Sequence, residues 1–182
     1  MNLNNWFEKG LTTEEYIQYM QVNKENMLHI QEQFSLQLIA EAERLKNRNL
    51  RALVLTADWC GDAMVNLPIF TEIARAAHMD IRFFIRDENL ELMDQYLTNG
   101  TARSIPIIVL INENGEEVAK WGPRAKNVQI MVDEMKKELP ESDDSSHQEA
   151  LKEFYSKIGK LYTTDSSIWK IIEKDMIETF TK

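Results

Sequence analysis

The only cysteine in 182 residues, Cys60, stands where a short apolar strand pattern runs into a helix, and few folds satisfy both flanks. Ala52 to Ala57 is too brief and too uniformly apolar for a surface helix, so it reads as a strand buried on both faces. From Asp62 onward, Met64, Leu67, Phe70, Ile73, Ala74 and Ala77 recur at helical spacing. A thiol at that junction faces unpaired backbone N–H groups and the positive end of the helix dipole, and both favour its thiolate. A free cysteine is also one of the most commonly buried residues. Trp59 and Gly61 argue for an open approach instead, so the expectation is a reactive thiol that alkylates faster than free cysteine.

The rest of the chain can be laid out around this junction. Residues 1–47 read as a helical extension. Thr12 with Glu15 has capping-box spacing, and Met27, Ile30, Phe34, Leu38 and Leu45 form one stripe on a long helix from Lys24 to Lys46. Asp80 to Arg86 reads as a second strand, and strand, helix, strand with short joins implies a parallel pair. Asp87 or Asn89 can cap a helix carrying Leu90, Leu92, Met93, Tyr96 and Leu97, closed by Asn99-Gly100. Pro106 introduces a third strand, Ile107 to Ile111, and Glu113-Asn114-Gly115 signals a hairpin into a fourth around Glu117 to Trp121. Val128 to Leu139 reads as a closing helix, and Leu139 to His147 as a polar linker. Beyond it, Leu151, Phe154, Tyr155, Ile158 and Leu161 make one amphipathic stripe, and Ile168, Trp169, Ile172 and Met176 another. These stripes can pack on the core, on the N-terminal helices, or on a second copy of the chain in a homodimer.

Trp59-Cys60-Gly61-Asp62-Ala63 resembles the active-site stretch of the thioredoxin family, whose pattern is Trp-Cys-Gly-Pro-Cys between the first core strand and its helix. Pro68 matches the proline that family carries eight residues after the cysteine. Arg103-Ser104-Ile105-Pro106-Ile107-Ile108 is similar to its segment with a cis-proline facing that cysteine, and Asn114-Gly115-Glu116 followed by Gly122 to its final hairpin. The resemblance covers roughly residues 45 to 138. It implies a thioredoxin-like three-layer α/β/α sandwich with a central mixed four-stranded sheet at 48–138. Helical extensions flank it at 1–47 and, after the linker, within 139–182. It further implies a groove beside a catalytic Cys60, in which Trp59, Gly61, Asp62, Ile105, Pro106 and Gly122 receive an extended substrate chain. Arg103, near the same loop, reads as a solvated side chain.

Departures from the pattern shape the expected chemistry. Ala63 occupies the place of the family's second, resolving cysteine, Asp62 that of its usual proline, and Val54 that of its buried acid. Because three positions depart together, Ala63 reads as natural divergence rather than as a substitution made to trap substrates. A dithiol enzyme attacks with one thiolate and releases with a second, so that cycle cannot close within this chain. The expected activity is monothiol thiol–disulfide exchange on a protein or small-molecule disulfide, with an external low-molecular-weight thiol as co-substrate. The alternative is a redox-inactive interaction or adaptor module using the same groove. Asp62 acts in two senses here, since its charge opposes a nearby thiolate but is itself favoured near a helix start.

Composition narrows the partners. A net charge of −9 with no Lys/Arg-rich run argues against nucleic acid and anionic membranes. The longest apolar run, Ile105 to Ile111, is far short of the roughly 20 residues that span a bilayer. The first residues lack a basic n-region and an apolar h-region, and one cysteine allows no internal disulfide, so a cytoplasmic protein is expected. No metal and no resident cofactor are expected, since there is no second cysteine and no ligand-spaced histidine pair. His78 lies at the far end of the Cys60 helix, roughly 27 Å from the thiol at 1.5 Å per residue. His29 and His147 belong to the extensions.

Overall fold

The computed structural model describes residues 2–182. Helices α1 (Leu3–Phe7), α2 (Thr13–Tyr19), α3 (Lys24–Gln33) and α4 (Ile39–Glu43) precede strand β1 (Arg51–Thr56). Then come α5 (Gly61–Ala76), β2 (Asp80–Ile85), α6 (Leu90–Met93), β3 (Ile107–Ile111) and β4 (Glu117–Trp121). Helices α7 (Lys126–Lys136), α8 (His147–Thr164) and α9 (Ser166–Phe180) complete the chain. The four strands form one mixed sheet in the order β2-β1-β3-β4, with β1 parallel to β2 and the other pairs antiparallel. Strands β1 and β3 are interior and buried on both faces, which is why their sequences are apolar without alternation.

Successive residues of β2 show how the layers stack. Phe83 and Phe84 point to opposite faces. Phe83 stacks on Tyr16 of α2 with ring centroids 4.7 Å apart, and the Tyr16 hydroxyl bonds to Thr56 Oγ1 at 3.2 Å. Phe84 meets Trp6 of α1 edge-on at 6.0 Å, and the neighbouring Phe7 ring lies 4.9 Å from the guanidinium groups of both Arg51 and Arg82. Helices therefore cover both faces, giving the three-layer α/β/α sandwich. Thr12 and Glu15 form the reciprocal capping box, with bonds of 3.2 and 2.8 Å.

The continuous helix expected from Lys24 to Lys46 is not formed. Helix α3 stops at Gln33, and after α4 the chain makes only a 3-10 turn at Lys46–Arg48. Between them the Gln37 and Leu38 N–H groups both donate to Glu173 Oε1 of α9, at 2.7 and 2.6 Å, and that residue is 1% exposed. A buried carboxylate that needs donors outweighs the local helical periodicity here. The helix after Asn89 is also shorter than its apolar spacing suggests. It ends at Met93, and the Asn89 side chain donates to the Ile85 carbonyl at 2.8 Å instead of capping.

Both terminal helices pack on their own chain, α9 burying Ile168, Trp169, Ile172 and Met176, and α8 burying Phe154 and Ile158 while leaving Tyr155 exposed. Helix α9 packs on α5, β4 and α7, with Phe180 edge-on to Phe70 at 5.8 Å and Trp121 Nε1 donating to Asp175 at 2.6 Å. Helix α8 leans on α3, α5 and α7. No helix among the described residues is long and apolar enough to cross a membrane.

Replacing Glu173 tests the clamp that breaks the N-terminal helix. Glu173→Ala leaves two backbone donors unpaired and should cost about 1–3 kcal/mol in urea unfolding. Glu173→Gln keeps an acceptor and should cost less.

Candidate functional site

Cys60 is the N-cap of α5. Its backbone is extended there (φ −81°, ψ 116°), and its Sγ accepts from the Ala63 N–H at 3.5 Å. The thiol donates to the Ile105 carbonyl at 3.4 Å, just before the cis peptide bond to Pro106. The end of β1 and the start of β3 thus bring residues 60 and 105 together. The loop before Cys60 is held from outside, because Asp58 Oδ2 accepts from the Gln21 and Val22 N–H groups at 2.8 and 3.0 Å. Within α5, Pro68 removes a main-chain donor, as it does inside any helix.

Exposure and ionisation of the thiol differ from the expectation. Trp59 is 51% exposed, but Cys60 is only 8% exposed, tucked beneath the Ile105 loop. Burial pushes its pKa above that of an ordinary thiol. The Ala63 N–H opposes that rise, the Asp62 charge adds to it, and Arg124 weakly offsets it. Desolvation outweighs the helix terminus, so the resting state is the protonated thiol, and alkylation faster than free cysteine no longer follows.

Asp62 does not stand as a free carboxylate beside the sulfur. Arg124 forks onto it with Nε to Oδ1 and Nη2 to Oδ2, both 2.6 Å, and the Tyr162 hydroxyl of α8 donates to Oδ1 at 2.8 Å. Arg124 Nη1 also donates to Gln129 at 2.9 Å. Burial and the Asp62 charge both hold the Tyr162 phenol well above its usual range. Neither Arg124 nor Tyr162 is evident as a site residue in the sequence. The one available cue is that a carboxylate at a helix start beside a thiol needs a cation, and Arg124 follows the Gly122-Pro123 pair.

Two clefts open on either side of the sulfur, and Trp59, Cys60, Asp62 and Arg124 line both. One, of about 480 Å³, runs along Arg86, Arg103, Ser104, Ile105 and Pro123. There the Arg86 guanidinium lies 4.7 Å from the Trp59 ring and donates to the Arg103 carbonyl at 3.3 Å. Arg103 is itself paired with Asp94 at 2.6 Å, at the surface. The other cleft, of about 560 Å³, includes Gly61 and is walled by α8. Pro106 and Gly122 sit behind the lining rather than in it. Gly122 has φ +123° and precedes a second cis peptide bond, and a Cβ there would collide with the Pro106 carbonyl oxygen. Among the described residues no group of three or more histidine, cysteine or carboxylate side chains could hold a metal. His147 Nδ1 is instead 2.8 Å from the Pro140 carbonyl.

A mixed four-stranded sheet whose first interior strand delivers a helix-capping thiol to a cis-proline loop defines a thioredoxin-fold protein. The family model described as Thioredoxin matches residues 10–136, and the chain belongs to the thioredoxin family. The match starts well before β1 and takes in helices that the sequence pattern set outside the core. There Leu11 pairs with Phe83 through main-chain bonds of 2.9 and 2.8 Å at the β2 edge. No curated protein matches the sequence. Among solved structures, the chain is similar to a crystallised HIV epitope scaffold, with 14% identity and a TM-score of 0.62 over 96% of this chain and 99% of that one. It is also similar to a protein of unknown function from Pseudomonas aeruginosa, with 16% identity and a TM-score of 0.60 over 96% and 98% of the two chains. At these identities the likeness is one of fold.

The charges around the sulfur make opposite predictions for two variants. Arg124→Gln bares the Asp62 charge and should move the pH midpoint of Cys60 alkylation upward. Asp62→Asn removes that charge and should move it downward. Iodoacetamide rates measured across pH give both signs.

Proposed function

We propose that this protein carries out thiol–disulfide exchange through Cys60 alone, with an external low-molecular-weight thiol completing each cycle. The carrying observation is the position of the sulfur, between the Ala63 N–H and the Ile105 carbonyl and open to two clefts. The Cys60 thiolate bonds to one sulfur of a protein or small-molecule disulfide, and the other sulfur leaves and takes up a proton. The external thiolate then attacks the mixed disulfide, since Ala63 supplies no sulfur to do so.

The raised pKa slows this chemistry without abolishing it. Each unit of increase costs about tenfold in thiolate below the pKa, yet returns roughly threefold in the nucleophilicity of what remains. Exchange should therefore be slow at neutral pH and steeply faster in alkali. As part of the same reading the chain works in the reducing cytoplasm, where such thiols are kept reduced.

One observation favours a second reading, a redox-silent interaction module that uses the same groove. It is the 8% exposure of Cys60, whose burial pushes its pKa upward.

Under either reading, burial makes alkylation of Cys60 slower than that of free cysteine at pH 7, rising about tenfold per pH unit toward pH 9; exchange is distinguished by turnover. Turnover of a disulfide should require added small thiol and vanish in Cys60→Ser. If Cys60→Ser retained full partner binding while the parent showed no turnover at any pH, the interaction module would stand instead.

A further inference from the structure

Helix α8 lies outside the residues matched to the family, yet it builds one wall of the 560 Å³ cleft through Phe154, Tyr155, Ile158, Gly159 and Tyr162. The opposite wall carries Cys60, Met64 and Arg124, with Val132 and Lys136 from α7. The volume is within the ~300–1,000 Å³ usual for small-molecule sites. Two features of the lining bear on what it can hold.

The first is glycine. Gly159 sits inside an eighteen-residue helix, where glycine is the poorest former after proline, and a Cβ on it would meet nothing within 4 Å. Packing does not require the missing side chain, and what its absence preserves is open cleft. Gly61, on the facing wall, likewise has free space at its Cβ position.

The second is charge. The lining holds two cations, Arg124 and Lys136, against one carboxylate, Asp62, in a chain whose net charge is −9. Arg124 is taken up by Asp62, while Lys136 forms no ion pair among the described residues. Alongside these charges the cleft offers aromatic and aliphatic surface, including Tyr155, 61% exposed, and Trp59. An apolar body with one anionic end fits such a lining, and the Cys60 sulfur stands at its inner margin.

We propose that the α8-walled cleft binds the low-molecular-weight thiol of the exchange reaction, and that this thiol carries an apolar body and an anionic group directed to Lys136. This rests on the exchange reading. A thiolate held in the cleft bonds to Sγ of the Cys60 mixed disulfide, the bond from Sγ to the substrate sulfur breaks, and the substrate thiolate leaves and is protonated. A second equivalent attacks the small-thiol sulfur of the new mixed disulfide, whose bond to Sγ breaks, so that the small disulfide is released and Cys60 leaves and is protonated to a thiol. Two thiols are thereby oxidised and one substrate disulfide is reduced.

The test separates binding from exchange. Full-length Cys60→Ser protein is titrated calorimetrically with 4-(methylthio)benzoate, whose capped sulfur cannot exchange, and with the neutral 4-(methylthio)benzamide. The proposal expects saturable one-to-one binding of the benzoate, at least tenfold weaker binding of the amide, and a loss of at least tenfold on adding Gly159→Leu. Lys136→Gln, an exposed change that decides the matter should Gly159→Leu fail to fold by circular dichroism, should reduce the benzoate to the amide's affinity. Absence of saturable benzoate binding, equal affinity for the two probes, or benzoate affinity unchanged by Lys136→Gln or by a folded Gly159→Leu would overturn it. Turnover of the parent protein with 2-mercaptoethanol, which has neither ring nor charge, reads the exchange activity separately.

Discussion

The antiparallel pairing of β1 with β3 sets the geometry of everything near the sulfur. Its register runs from Arg51 opposite Ile111 to Leu55 opposite Ile107, so the exit of β1 and the entry of β3 share one end of the sheet. The helix-capping thiol and the carbonyl before Pro106 meet there because both are a few residues from paired strand ends. Buried main-chain groups in these interior strands have to stay paired, so neither segment can drift along the other without large cost. The thiol therefore inherits its surroundings from the sheet rather than from its own loop.

That inheritance decides the character of the sulfur. A helix N-terminus favours the thiolate, and in an open position it would make Cys60 an acidic nucleophile. Under the Ile105 loop the same sulfur loses water, and the protonated form donates a hydrogen bond to the carbonyl above it. Desolvation acts on the whole charge of the thiolate, whereas one long N–H contact returns only part of it. The Asp62 charge tilts the balance further toward the thiol, and the Arg124 fork offsets only part of it.

The cluster of Asp62, Arg124 and Tyr162 joins the C-terminal extension to the site. Asp62 lies in the first turn of α5, Arg124 follows β4, and Tyr162 comes from α8, a hundred residues beyond Asp62. Glu173 does a comparable task at a distance, pinning the N-terminal segment at Gln37 and Leu38 to α9. The terminal helices are thus part of the folded body, and one of them gives the Cys60 region a wall that the four-stranded core lacks.

Local physics was enough for much of this from the sequence alone: the buried strand before Cys60, the helix after it, the Thr12–Glu15 capping box and the Asn114-Gly115 hairpin. Each rests on spacing, capping or turn chemistry within a few residues. Tertiary structure alone decided the break after Gln33, the burial of the thiol, the pairing of Asp62 with Arg124 and Tyr162, and the cleft walled by α8. All of these depend on groups tens of residues apart competing for water, charge or backbone donors. Their energies appear only once the chain has closed, so periodicity does not encode them.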